Sequence, residues 1–187
     1  MAIVKQGLDN SQGKGHMIGL LIALKNIIAT VNNIVMIGNF WKTHCDFLVE
    51  LGVRIGHNLF PEFAGNPDGT PVAVNDELQL SAEILKGYAT SMTTLVGNLY
   101  HYKSFTFLAN LCKHEALMEV MFNILTVVAK GGSQIHQCIF STSDNEKLNE
   151  TMNKTKHSIL ETFYPVTKYL VKTAPMKTLQ KLAYWSN

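Results

Sequence analysis

Between Met17 and Leu59 the apolar residues recur at alternating steps of three and four: Met17, Leu20, Leu24, Ile27, Val31, Ile34, Trp41, Cys45, Leu48, Ile55 and Leu59, with Gly38 and Gly52 on the same line. Steps of three and four put side chains on one face of an α-helix, so the stretch predicts one long helix with a seam packed against partners. At ~1.5 Å per residue that helix would reach about 65 Å if straight. A second row, Ile18, Leu21, Ile28, Val35 and Val49, flanks the seam and widens the face to be buried. Glycine on a seam either lets a neighbouring helix approach closely or marks a bend, and both readings are open at Gly38 and Gly52.

Only Lys25 is charged between His16 and Trp41, which is unusual for a helix in water. A membrane span needs about 20 predominantly apolar residues, and a lysine near its centre costs roughly 2.5 to 3.5 kcal/mol. Lys25, together with Asn26, Asn32, Asn33 and Asn39, argues against a constitutive span. Two alternatives are left: a central helix enclosed by the others, or a helix that meets lipid only after a conformational change.

With 187 residues, 47% of them hydrophobic, the chain can bury one real core and does not require a second domain. Residues 1–15 read as a polar lead-in. Phe60-Pro61 ends the long helix, and residues 61–75, with Asn66-Pro67-Asp68-Gly69, read as a loop of at least two turns. Asn75 followed by Asp76 and Glu77 is an N-cap with acid in the first turn, opening a helix over 76–103. Gly87, Gly97 and a threonine-rich centre give this helix little intrinsic propensity, so tertiary packing must hold it. Tyr100 to Phe107 reads as a helix junction. Further helices are expected over 107–130, stopped by Gly131-Gly132, and over 143–173, kinked near Pro165, with a short tail helix at 176–185. The expected fold is therefore all-α: one helical-bundle domain, residues 1–187, built around the long helix at 17–59.

Sixteen basic residues against fourteen acidic ones, scattered along the chain, do not make the footprint of a nucleic-acid binder, so nucleic acid is not an expected partner. Cys45, Cys112 and Cys138 are too few and too widely spaced for a disulfide framework or a zinc knuckle and read as buried thiols. No basic segment leads into an apolar core with a cleavage site, which predicts a cytoplasmic protein or one released without a conventional signal.

Chemical motifs fail one by one. Gly13, Gly15 and Gly19 lack the preceding strand and the Gly-Lys-Ser/Thr ending of a phosphate loop. His114-Glu115 is not followed by a second ligand histidine, and the His44, Cys45 and His136, Cys138 pairs stand alone. Glu115 and Glu119 share a helix face without the partner carboxylates of a di-iron bundle. No catalytic, cofactor-binding or metal-ligating residue is assigned, and the chain is expected not to be an enzyme. The interaction candidates are Ile34, Ile37, Phe40 and Trp41 in the long helix and Trp185 in the tail, where large apolar groups could anchor an interface.

The run from Asn26 to Leu51, Asn-Ile-Ile-Ala-Thr-Val-Asn-Asn-Ile-Val-Met-Ile-Gly-Asn-Phe-Trp-Lys-Thr-His-Cys-Asp-Phe-Leu-Val-Glu-Leu, resembles a helix of the α-helical pore-forming toxins of the haemolysin BL type. Members of that family carry a long bundle helix with a Phe/Trp-containing stretch and, elsewhere, a membrane-inserting apolar head. The resemblance implies a bundle that acts by self-association or membrane engagement. The alternative is a soluble protein-binding or scaffold module with no membrane activity, whose groove or tail helix receives a partner.

Overall fold

The computed structural model describes residues 1–10, 13–59, 62, 75–102, 146–148, 150–151, 153–155 and 157–158. Among these there are helices and no strands, so the chain is an all-α bundle. Four helices are complete: α1 (Ala2–Asp9), α2 (Lys14–Thr30), α3 (Ile34–Leu59) and α4 (Asp76–His101). The described positions between 146 and 158 are also helical. The helix expected over 107–130, most of the 61–75 loop, most of the 100–107 junction, the Pro165 kink and the 176–185 tail lie outside the described residues.

The Met17–Leu59 stretch is helical as its periodicity requires, but it is two helices rather than one. The break falls at Val31, Asn32 and Asn33. Val31 leaves the helical region (φ −82°, ψ 87°), and its N–H donates to Ile28 O at 3.1 Å. Thr30 Oγ1 donates to Ile27 O at 2.7 Å, and Asn98 Nδ2, from α4, donates to Ile28 O and Val31 O at 3.3 Å each. These bonds serve carbonyls that a helix end leaves unpaired. Asn33 then starts α3 as its N-cap: Oδ1 accepts from Met36 N–H at 2.9 Å, and the Asn33 carbonyl accepts from Ile37 N–H at 2.9 Å. The glycines do not make the bend.

Two sets of contacts fix the directions. Leu21 and Ile28 of α2 meet Ser91 and Asn98 of α4 in the same order, so these two helices run parallel. Leu48 of α3 meets Tyr88, and Glu62, just past α3, meets Ser81, so α3 runs antiparallel to both. The turn at 31–33 thus lies at the C-terminal end of α4. At the opposite end Lys14 Nζ bonds both carboxylate oxygens of Glu62 (3.0 and 2.9 Å) and reaches Glu77 Oε2 at 3.3 Å, while Ser81 Oγ donates to Glu62.

Among the described residues the most enclosed helix is α4, not the 17–59 stretch. From Leu78 to Leu99 every described side chain except Gly97 is buried or half-buried. The small residues that make α4 a poor helix on propensity are what let its neighbours close in. A Cβ on Gly87 would meet Leu21 Cβ at 3.1 Å, so the α2 backbone lies against α4 there. Thr90, Ser91 and Thr94 each donate a hydroxyl to the carbonyl one turn back, at 2.8 to 2.9 Å, and Ser81 and Thr93 donate instead to Glu62 and to Ser158 O, which offsets the cost of burying them.

Gly52 of α3 faces Tyr88, whose ring fills the space a Cβ would take and whose hydroxyl donates to Leu48 O at 2.9 Å. On this seam, glycine means close approach. The lead-in also proves to be structured over Ala2–Asp9. A helix this short is unstable alone. Here Val4 is buried, Gly7 sits against Leu20, and the Lys5 ammonium lies 5.3 Å from the centre of the Phe47 ring.

Candidate functional site

Reactive groups come first, because they would mark an active site. Cys45 is half-buried, and its Sγ lies 3.4 Å from Asp46 Oδ1. Burial first, and the Asp46 carboxylate second, push its thiol above the usual range, away from the nucleophilic thiolate. His44 packs edge-on to Phe40 with ring centroids 4.9 Å apart. Burial, then the N-terminal amine and Lys5, hold its imidazole below the usual pKa. Among the described residues no group of three or more His, Cys, Asp or Glu is placed to hold a metal ion. Cys112, His114, Glu115, Glu119, His136, Cys138 and Trp185 lie outside the described residues.

An open groove of about 790 Å3 runs between α4 and the helical residues from 146 to 158, lined largely by the apolar parts of Lys86, Thr90, Glu146, Glu150, Asn153, Lys154, His157 and Ser158. A hydrogen-bonded seam joins the same two elements. Thr151 Oγ1 donates to Glu83 Oε1 at 2.9 Å and accepts from Gln79 Nε2 at 3.1 Å, and Thr93 Oγ1 donates to Ser158 O at 2.6 Å. Burial alone would raise the Glu83 pKa, but the Lys86 ammonium and the Thr151 hydroxyl outweigh it and hold the carboxyl below its ordinary range. Lys86 is paired with Glu83 and Glu150 with Lys154, and with these charges committed the groove reads as a packing interface between helices.

The turn between α2 and α3 is different. Five consecutive residues, Asn32 to Met36, are exposed, and three of them are large and apolar: Ile34 is 52% exposed, Val35 67% and Met36 46%. Exposed apolar side chains scattered singly are ordinary; three in a row at the apex of a helical hairpin form a patch. Sequence supplies no charge from Asn26 to Trp41 to dilute it. Capping at Asn33 puts Ile34, Val35 and Met36 in the first turn of α3. Ile22, 53% exposed, adds an apolar group further back on α2.

The interaction candidates read from sequence divide accordingly. Ile37, Phe40 and Trp41 turn into the core, with Ile37 fully buried and Trp41 2% exposed. Ile34 stands at the exposed tip. Val35 and Met36 belong to the same patch and were not singled out by periodicity, which assigned Val35 to the buried flank. The signal that locates them is the Asn32-Asn33 pair directly before the apolar run Ile34 to Ile37, since the first turn after an N-cap cannot turn every side chain inward. No described helix is long and apolar enough to cross a membrane. In comparisons with known proteins, no protein-family model, no curated protein and no solved structure matches the chain.

Proposed function

We infer that the chain is a non-enzymatic helical-bundle protein that engages a membrane surface through the α2–α3 turn. The observation that carries this reading is the run Ile34, Val35 and Met36, exposed at one end of the bundle within an uncharged stretch. Fully burying such a side chain is worth roughly 1.5 to 3 kcal/mol, so covering the exposed half of all three contributes roughly 3 kcal/mol. That magnitude suits reversible docking at the headgroup boundary rather than permanent insertion. The hairpin enters by its tip, where the caps at Asn33 and Asn98 serve the Met36 and Ile37 N–H groups and the Ile28 and Val31 carbonyls and so lower the cost of bringing this turn to the headgroup boundary.

Vesicle flotation with the full chain tests the reading. Wild-type protein is expected to float with liposomes, and Val35→Ser/Met36→Ser to lose most of that binding while keeping its helical circular dichroism. A wild-type protein that binds no vesicle at any pH refutes membrane engagement and leaves the tip as a surface for a protein partner. Self-association is a separate matter, decided by mass in solution: a clean monomer across concentrations, with and without lipid, removes it.

A further inference from the structure

Acidic residues are distributed unevenly along the bundle axis. The sequence holds no Asp or Glu between Asp9 and Asp46, or between Glu83 and Glu115. In space, the first gap covers all of α2, the turn and the start of α3, and the second covers the C-terminal part of α4 beside that turn. Described acids collect towards the other end, where Glu62 and Glu77 pair with Lys14 and Asp76 opens α4 beside Glu77. Near the tip the described charged or titratable side chains are Lys25 on α2, Lys42 on α3 and His101 in the last turn of α4, all exposed.

The two lysines also stand at a useful height. With ~1.5 Å per helical residue, Lys25 lies about 7 Å back from the end of α2 and Lys42 about 12 Å back from the start of α3. An apolar face docked at a bilayer sinks roughly 5 to 10 Å into the boundary between headgroups and acyl chains. With Ile34 to Met36 at that depth, both ammonium groups come level with the phosphates, and lysine stems can snorkel to meet them.

Resting on the membrane reading above, we propose that the tip selects anionic membranes, with Lys25 and Lys42 binding lipid phosphates from the two sides of the hairpin. The end that carries no acid among the described residues faces the negatively charged surface, and the end holding Glu62, Asp76 and Glu77 is repelled from it, so the bundle docks end-on with one polarity. A basic residue close to an anionic surface strengthens binding by about 5-fold, so the pair contributes roughly 30-fold. The force is screened by salt, whereas the apolar contact of the tip is not.

The test is flotation of the full chain on vesicles of phosphatidylcholine alone and of phosphatidylcholine mixed with phosphatidylglycerol, at low and high salt. Wild type is expected to prefer the anionic vesicles at low salt and to lose that preference at high salt. Lys25→Gln/Lys42→Gln should lower anionic binding by roughly 30-fold without changing binding to neutral vesicles, and Lys25→Arg/Lys42→Arg should restore it. Equal wild-type binding to both vesicles, abolished by Val35→Ser/Met36→Ser, would overturn the anionic selection and leave the membrane reading standing. An anionic preference that survives in Lys25→Gln/Lys42→Gln would overturn the role of these two lysines. Absence of wild-type binding to either vesicle would overturn both.

Discussion

The contact between Gly52 and Tyr88 is the tightest point between α3 and α4, and replacing Gly52 by alanine tests whether it holds the bundle together. A Cβ at position 52 would lie 2.6 Å from Tyr88 Cζ and closer still to its hydroxyl oxygen, in a ring that is fully buried and has no free direction in which to move. Overpacking of this kind costs about 1 to 3 kcal/mol. Displacing the ring also breaks the 2.9 Å bond from Tyr88 to Leu48 O, and a buried hydroxyl left without a partner costs about 1 to 3 kcal/mol more. Against this, alanine is better than glycine in a helix by about 1 kcal/mol. The net expectation for Gly52→Ala is a loss of about 3 kcal/mol, which in a domain of this size lowers Tm by roughly 6 to 12 °C.

Gly97→Ala is the matched control. A Cβ there meets nothing within 4 Å, so only the propensity term acts and the variant should gain about 0.5 to 1 kcal/mol. Urea denaturation followed by circular dichroism reads both. A double-mutant cycle with Tyr88→Leu, which removes the obstructing hydroxyl and ring, should show strong coupling to Gly52→Ala. If Gly52→Ala is as stable as Gly97→Ala, or adds independently to Tyr88→Leu, close packing at this glycine is not what joins α3 to α4.

Two further outcomes follow from local geometry. Asn33→Ala removes the acceptor for the Met36 N–H and should cost about 1 kcal/mol in urea denaturation; an unchanged midpoint would mean that α3 does not depend on its cap. For Glu83, the folded pKa lies below its ordinary value of 4.5, so the stability it contributes is fully present above that value and is lost as pH falls through the lower folded value. Thermal unfolding between neutral and acidic pH should therefore fall more steeply in wild type than in Glu83→Gln, with the difference confined to the region below 4.5.

Helical class and the start of α4 were legible because they depend on local patterns. Asn75 caps α4 as its position before Asp76 and Glu77 requires, accepting from Leu78 N–H at 2.8 Å. The break at Val31 was not legible from periodicity, since the alternation of three and four continues across it while the chain reverses direction. Its signal was chemical instead: Thr30, Val31, Asn32 and Asn33 are weak helix formers, and asparagine is a strong N-cap.

The enclosure of α4 was obscured for a related reason. Gly87 and Ser91 lower its apparent hydrophobicity, yet their small size is what admits Leu21 and the α2 backbone. Of the candidate site, Ile34 was visible as a large apolar residue, but its exposure depends on where the reversal falls. Burial of Ile37, Phe40 and Trp41 is a property of the finished packing, and no residue count along one helix supplies it.

Parallel packing of α2 against α4 also has a bearing on how the chain is made. Bonds such as Ser91 Oγ to Leu21 O and Asn98 Nδ2 to Ile28 O each span a sequence separation of 70. The central contacts are therefore non-local, and helices with such pairings fold more slowly than up-and-down bundles of adjacent helices. At synthesis rates of about 5 to 20 residues per second, α4 emerges roughly 2 to 8 s after α3. Over that interval Leu21, Leu24 and Ile28 have no cover from α4, and the nascent hairpin is a natural client for a chaperone until Leu99 has appeared.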